Sequence, residues 1–566
     1  MAVDRTVKIG GAAGQGIQTV GQVVAAVCHR GGLRVMAIND FESRIRGGHS
    51  FMQVRIADKA VGAPCHQVDL LVALDGGTYD HHRAEMAPGA LTLADAAAGI
   101  QGQGVLNLPF GDLARQAGGR ILANTVAAGA CLGLLGAPAA LGHEVLARQF
   151  QDKGRDLVEQ NRQAFDLGYQ AAARFPYAGR IEGAWGGPVQ GHLMEGTRAL
   201  ALGAAAADCR VAAFYPMSPA TGILAQLAAL GETFPLVVEQ AEDEIAAANM
   251  VIGASFAGVR AMTATSGGGF CLMTEALGLA AITETPMVVV DAMRPGPATG
   301  LPTRTAQGDL NFVIHASQDE FPRFVLAPGT PVQAFEAMIR AFDLAERFQV
   351  PAIVLVDQYF NDSLFSTPDL GPAPAVTRPV AGDADLGDPG AYRRFAVSDD
   401  GVSPRALPCR GRALVVASSD EHREDGHISE KSVDRRRMVA KRFAKLPAMR
   451  DALRGPEVHY PDGETLLVGW GSTRGAMLEA AEQLRAEGRS AGVVHFTDLW
   501  PFPSQAAVRA LEGRRLVMVE QNATGQLGRL LREQTGLKAV GRILKIDGRP
   551  FYPAEIVRGV DRSMAP

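Results

Sequence analysis

Four acids, Glu239, Glu242, Asp243 and Glu244, stand together ahead of an alanine-rich run from Ile245 to Ala257. Two turns flank them, Tyr215-Pro-Met-Ser-Pro-Ala-Thr221 and Thr265-Ser-Gly-Gly-Gly269. A further segment, Asp291-Ala-Met-Arg-Pro-Gly-Pro-Ala-Thr-Gly-Leu-Pro-Thr-Arg304, supplies two arginines. A buried or crowded carboxylate with a raised pKa can share a proton and so serve acid–base chemistry. A planar guanidinium grips a carboxylate through two parallel hydrogen bonds. The same acids are also what a helix beginning at Ile245 wants against its dipole, an effect worth about 1 kcal/mol. On the residues alone, that capping role is the favoured reading.

A second set lies near the N-terminus. Gly10-Gly-Ala-Ala-Gly-Gln-Gly16 separates a strand, Thr6–Ile9, from a helix running from Ile17 to about His29. Backbone N–H groups converge at such a turn and suit an anion; a tight strand–helix turn without ligand is the alternative. Gly14-Gln-Gly16-Ile-Gln-Thr19 lacks the third glycine of a dinucleotide fingerprint, but Asp40 follows the next strand roughly where a ribose-binding acid would sit. An NAD-binding reading therefore stays open. Ser43-Arg-Ile-Arg-Gly-Gly-His-Ser50 offers Arg44, Arg46 and His49 to a phosphate or carboxylate, or forms a solvated hairpin.

The elements that must position these groups alternate. Strands are expected at Val211–Phe214, Arg260–Thr265 and Pro286–Asp291, with helices at Ile245–Ala257 and Phe270–Thr283. Gly267–Gly269 frees the backbone for positive φ or for close approach to a ligand. Such alternation predicts an α/β fold with parallel sheets and ligands at the carboxyl ends of strands, where Ser218, Gly267–Gly269 and Arg294 fall. Further strands are expected at Arg34–Ile38, Phe51–Ile56 and Asp69–Leu74, and a small-residue helix at Asn124–Gly136. The organisation reads as a first domain over 1–180, a second over 192–365, a linker and charged irregular stretch over 366–460, and a last α/β domain over 461–566. In that charged stretch His422 and His427 lack strong metal-site spacing and read as surface loop. The basic run Arg435–Arg437, Lys441 and Arg442 reads as the solvated face of a helix.

The chain has 566 residues, enough for three or four domains. Hydrophobic residues are 47% and charged residues 20%, an ordinary globular balance, and the net charge of -5 gives a nucleic-acid role no support. Neither a signal-peptide pattern nor a bilayer-length apolar run is evident, so no membrane role is expected. The six cysteines are scattered, with no CxxC, which suits a reducing cytoplasm and argues against an iron–sulfur or metal site built by this chain alone.

Several of these pieces together, Tyr215-Pro-Met-Ser-Pro, Glu242-Asp-Glu-Ile-Ala-Ala247, Thr263-Ala-Thr-Ser-Gly-Gly-Gly-Phe270, Arg294 to Arg304 and Gly469-Trp-Gly-Ser472, resemble the 2-oxoacid:ferredoxin oxidoreductase family, nearest to the alpha subunit of its 2-oxoglutarate members. Gly11 to Gly16 and Ser43 to His49 are similar to the gamma subunit, here fused ahead of alpha. Two positions depart from the pattern: Ser218 stands where Thr is commoner, and Gly268 where Pro is commoner. The resemblance implies a pyrimidine-binding domain of thiamine diphosphate enzymes over 192–365 and a transketolase C-terminal-like domain over 461–566. It places the cofactor's acid on Glu244, with Glu242 second, and the substrate's carboxylate on Arg294 and Ser218. Arg304 and Thr299 would meet the substrate's far end, and Thr265, Ser266 and Gly267 would line the cofactor. Gly11, Gly14, Gly16, Arg44 and Arg46 would suit the phosphates of coenzyme A. Mg²⁺ in this class needs a Gly-Asp-Gly…Asn stretch, which does not occur here. The resemblance therefore implies a beta subunit that holds Mg²⁺, the diphosphate and a 4Fe-4S cluster, an (alpha-beta)2 heterotetramer, and ferredoxin as electron acceptor. An NAD-dependent dehydrogenase and a non-catalytic scaffold subunit are the rivals from other classes.

Overall fold

The computed structural model describes residues 3–43 and 48–564, and they pack as two compact units. The first comprises Met1–Glu195 with the short segments Asp362–Asp369 and Phe551–Pro553. Its eight-stranded sheet runs, edge to edge, Val105–Leu108, Met86–Asp95, Val68–Ala73, Asp4–Ala12, His49–Ala57, Arg34–Asp40, Leu364–Thr367 and His192–Glu195. The first four are mutually parallel and the rest pair antiparallel. The helices Ile17–Arg30, Ala123–Leu135 and Arg155–Ala172 bury their apolar side chains in this unit's core.

This strand order has a functional consequence. In a dinucleotide fold, the acid for the ribose ends the strand lying beside the first one. Here His49–Ala57 intervenes, antiparallel, between Asp4–Ala12 and Arg34–Asp40. Asp40 therefore loses the placement that the NAD reading needed. His192–Glu195 and Leu364–Thr367, at the two ends of the expected 192–365 domain, pair with each other and complete the first unit's sheet.

The second unit holds two sheets. The larger runs Asp498–Trp500, Phe324–Leu326, Pro351–Asp357, Met287–Met293, Arg260–Thr265, Cys209–Phe214 and Val237–Gln240, parallel except for its first strand. Its central strands are apolar and buried on both faces, as parallel strands covered by helices must be. The smaller runs Glu457–His459, Ala491–Phe496, Thr465–Trp470, Arg515–Glu520 and Gly541–Leu544. One core unites them, with Val289, Val325 and Ile353 joined to Val468, Trp470 and Phe496. Buried Gln307 ties the loop after Arg304 to the smaller sheet. Its backbone N–H donates to Gln521 O at 2.8 Å, and its Nε2 to Trp470 O at 2.8 Å.

The charged stretch is not loose. It carries the helix Ser432–Ala444, whose Arg435 and Arg437 are exposed as expected, but Lys441 and Arg442 are buried. Lys441 and Lys445 donate to the fully buried Glu284 carboxylate at 2.6 and 2.7 Å. His427 is exposed, whereas His422 is buried with its ring 4.0 Å from that of Phe395, so only one of the two lies on the surface. Among the described residues no group of three or more His, Cys, Asp or Glu is placed to hold a metal, and no helix is long and apolar enough to cross a membrane.

Candidate active site

The helix Glu244–Phe256 begins where the four acids lie, and its geometry separates their roles. Asp243 is the N-cap: its carboxylate accepts the Ala246 N–H at 2.7 Å. Glu239 and Glu242 are exposed. Glu244, the first helical residue, is 3% exposed, and its Oε1 is buried without a hydrogen-bond partner. Capping is thus done by the neighbour, and Glu244 is left as a desolvated acceptor, a costly arrangement unless a donor arrives.

What faces Glu244 is the triple-glycine turn. Strand Arg260–Thr265 ends, Ser266 takes the N-cap position, and helix Gly267–Leu272 starts at once. The three glycines are helical and have no positive φ, so close approach is the reason for them. A Cβ on Gly269 would lie 2.5 Å from Glu244 Oε1, and one on Gly267 would lie 2.6 Å from Asp309 Oδ2. Gly268 has open space. The Ser266 hydroxyl is buried without a partner, and the Thr265 hydroxyl faces Met217 Sδ at 3.9 Å. Met217 thereby brings the Tyr215–Thr221 turn against the glycine turn. The expected single helix over Phe270–Thr283 is two, Gly267–Leu272 and Thr274–Ile282, broken at Met273.

Arg294 leaves the end of strand Met287–Met293 and reaches back to the same turn, where its Nη1 donates to Ser218 O at 2.8 Å. It is Ser218's carbonyl, not its hydroxyl, that holds the guanidinium, and Asn361 Nδ2 fixes the next carbonyl, that of Pro219, at 3.1 Å. Half burial lowers the Arg294 pKa, which leaves it a poorly hydrated cation ready for an anion. Thr299 is exposed, and Arg304 is seated against Gly548, where an added Cβ would meet its own Cβ at 3.0 Å.

Two carboxylates went unassigned in the sequence. Asp291 is completely buried with both oxygens unpartnered. Burial, and the neighbouring Asp309, push its pKa well up; burial raises Asp309 to about 6. Two like charges in one dry place do not both ionise, so Asp291 keeps its proton at neutral pH. The signal was an acid inside the otherwise apolar strand Met287–Met293.

In the first unit, strand Asp4–Ala12 runs further than expected, so Gly11 is strand, and only Gly14 and Gly16 shape the turn, at φ 90° and 79°. Gly16 precedes helix Ile17–Arg30 without a side-chain cap, and the Asn124 side chain packs against it. Arg44 and Arg46 lie outside the described residues.

Residues 202–441 match the family described as pyruvate flavodoxin/ferredoxin oxidoreductase, thiamine diphosphate-binding. Residues 6–171 match pyruvate ferredoxin/flavodoxin oxidoreductase, and 463–556 match pyruvate:ferredoxin oxidoreductase core domain II. The alpha subunit of 2-oxoacid:ferredoxin oxidoreductase 2 from Aeropyrum pernix is 33% identical across 99% of this chain and 98% of its own. The chain belongs to the 2-oxoacid:ferredoxin oxidoreductase family. The 2-oxoglutarate synthase subunit KorA of Methanothermobacter marburgensis is 32% identical over 65% of the chain and 98% of its own length. The 2-oxoglutarate:ferredoxin oxidoreductase of Magnetococcus marinus, solved with 2-oxoglutarate, coenzyme A and succinyl-CoA, matches all of both chains at TM-score 0.91 and 30% identity. As an oxidoreductase of this family, the chain presents one coherent group: Glu244, Thr265 to Gly269 and Met217, with Arg294 held on the turn that also bears Met217.

Proposed function

We propose that this chain is a fused gamma–alpha subunit of a coenzyme A-acylating 2-oxoacid:ferredoxin oxidoreductase, acting on 2-oxoglutarate to give succinyl-CoA and CO₂, or the reverse with a strong reductant. The observation that carries the reading is Glu244: a buried carboxylate oxygen without a donor, beside glycines that leave no side chain in the way. A protonated ring nitrogen of the thiamine aminopyrimidine would give that oxygen its donor. When bound, thiamine diphosphate supplies the carbon nucleophile for the keto group and the sink for the electron pair released with CO₂. Glu244 holds the proton at the ring nitrogen. Arg294, pinned by the Ser218 carbonyl, receives the substrate carboxylate through its remaining N–H groups. Thr265, Ser266 and Gly267 line the cofactor, and Arg304 and Thr299 serve the distal carboxylate.

A beta subunit contributes Mg²⁺, the diphosphate anchor and a 4Fe-4S cluster that passes electrons to ferredoxin, in a cytoplasmic (alpha-beta)2 assembly. Gly14, Gly16, Arg44 and Arg46, with Gly11 in the strand before them, serve coenzyme A. The domains we assign are 1–180, 192–365 as pyrimidine-binding, 366–460 as connector and 461–566 as transketolase C-terminal-like. Pyruvate and branched or aryl 2-oxo acids are the competing substrates, and steady-state ferredoxin reduction over a panel of 2-oxo acids ranks them.

The test is Glu244→Gln in the assembled enzyme, with Glu242→Gln beside it. Turnover should fall roughly 10²- to 10⁴-fold in the first while the subunits still co-purify, and stay within a few-fold in the second. Unchanged turnover in Glu244→Gln removes the assignment.

A further inference from the structure

The first unit contains a chain of titratable groups that the reaction does not use. Lys8 and His82 both bind the Glu85 carboxylate, His82 through Nδ1 at 3.1 Å. The other ring nitrogen of His82, Nε2, lies 2.7 Å from His49 Nε2. The His49 ring stacks on His81 at 4.5 Å and 10°, and His81 Nδ1 donates to Gly77 O at 2.7 Å. His82 is buried, His49 half-buried and His81 exposed, so the chain leads from the interior outward.

His49 lies beside the strand end that enters the N-terminal glycine turn. His49 is the register partner of Ala12, the residue at which strand Asp4–Ala12 enters that turn. Gly10 has no side chain because a Cβ there would meet Thr78 at 2.6 Å and His49 Cε1 at 3.1 Å. The backbone is thus shaped to admit the imidazole.

The hydrogen bonds fix the proton count. With His82 Nδ1–H donating to Glu85, a neutral His82 accepts at Nε2 and His49 Nε2–H donates. One further proton fits on His49 Nδ1 without disturbing a bond. Two would set two N–H groups against each other. Burial, then His82 and His81, hold His49 down at about 4, while Asp75 and Asp40 pull the other way. Burial alone would raise Glu85, yet the His82 hydrogen bond and the Lys8 charge bring it to about 2. His49 is therefore uncharged at neutral pH.

We propose that the Glu85–His82–His49 chain is a proton-accepting device of the N-terminal glycine turn, with His49 taking up one proton when a phosphate-bearing ligand binds there. The proposal rests on the reading that coenzyme A binds at this turn. An arriving anion favours the imidazolium, so its binding and protonation strengthen each other. The device supplies charge only when a ligand needs it and spares the free protein an uncompensated cation.

Titration calorimetry of the assembled enzyme at about pH 6 in two buffers of different ionisation enthalpy measures the protons taken up. Dephospho-coenzyme A, whose pyrophosphate does not titrate there, is used beside coenzyme A. We expect uptake of up to about one proton with either ligand, affinity that tightens as pH falls from 7.5 to 5.5 on the order of 10-fold, and loss of the uptake in His49→Gln with binding retained. Binding of both ligands to the wild-type enzyme without proton uptake overturns the proposal while leaving the coenzyme A reading intact. Uptake undiminished in His49→Gln overturns it as well. If neither ligand binds, the coenzyme A reading itself fails and the proposal falls with it.

Discussion

Glu244 differs from Asp243 by one position and by everything that matters for chemistry. Asp243 spends its carboxylate on the Ala246 N–H, whereas Glu244 turns inward and meets no donor. Its nearest constraint is the missing side chain of Gly269. Gly269→Ala should push the Thr265 hydroxyl and the carboxylate aside, since the new Cβ would run into Thr265 Oγ1 and sit 2.5 Å from Glu244 Oε1. We expect turnover of the assembled enzyme to fall on the order of 10²-fold, the cost of misplacing a reacting group by about 1 Å. Gly268→Ala, with nothing within 4 Å, should leave both turnover and melting temperature unchanged. Equal rates for the two variants would show that the glycines serve chain entropy and not the carboxylate.

At the scale of elements, the helix Ser432–Ala444 is fastened by charge. Glu284 receives Lys441 and Lys445 while Arg394 Nη2 donates to the Glu284 carbonyl at 2.7 Å. Burial would raise the Glu284 pKa, but the charges of Lys445, Lys441 and Arg394 drive it well below the ordinary carboxylate value. Burial in turn brings Lys445 down to about 8. Glu284→Gln keeps the shape and strands two buried cations, so the loss in urea unfolding should be about 3–5 kcal/mol. The pH dependence follows from the direction of the shift. A carboxylate with a depressed folded pKa contributes fully above its unfolded value of about 4.3 and loses that contribution as pH falls below it. The wild type should therefore weaken steeply below about pH 4.3, and the variant should lack that part of the slope. Parallel acid limbs would remove Glu284 as its source.

At the scale of the molecule, the chain offers an acid, an arginine and glycine-lined space, and its six cysteines are dispersed: Cys28, Cys131 and Cys209 are buried, Cys65 is half-buried, and Cys271 and Cys409 are exposed. The purified chain alone should carry neither iron nor stoichiometric thiamine diphosphate, and the co-purified complex should carry both. Iron assay and thiamine fluorescence on the two preparations check this. A lone chain that binds thiamine diphosphate with Mg²⁺ and oxidises a 2-oxo acid would refute the half-site reading.

Local pattern alone determined the central strands of the second unit's larger sheet. Arg260–Thr265 has the bounds its apolar run and breakers dictate, because a strand is decided by neighbours a few residues away. The motifs also sufficed to point at Glu244, Arg294 and the triple-glycine turn. Short edge strands such as Glu457–His459 and Gly541–Leu544 escaped notice, since three or four residues carry too little period to read. Burial and partnership were beyond the sequence. That Asp40 sits past an intervening antiparallel strand, that Asp291 and Asp309 share a dry site, and that Lys445 meets Glu284 across 161 positions are outcomes of strand order and packing. Electrostatic character follows from which distant groups exclude water from one another, and only the folded chain brings those groups together.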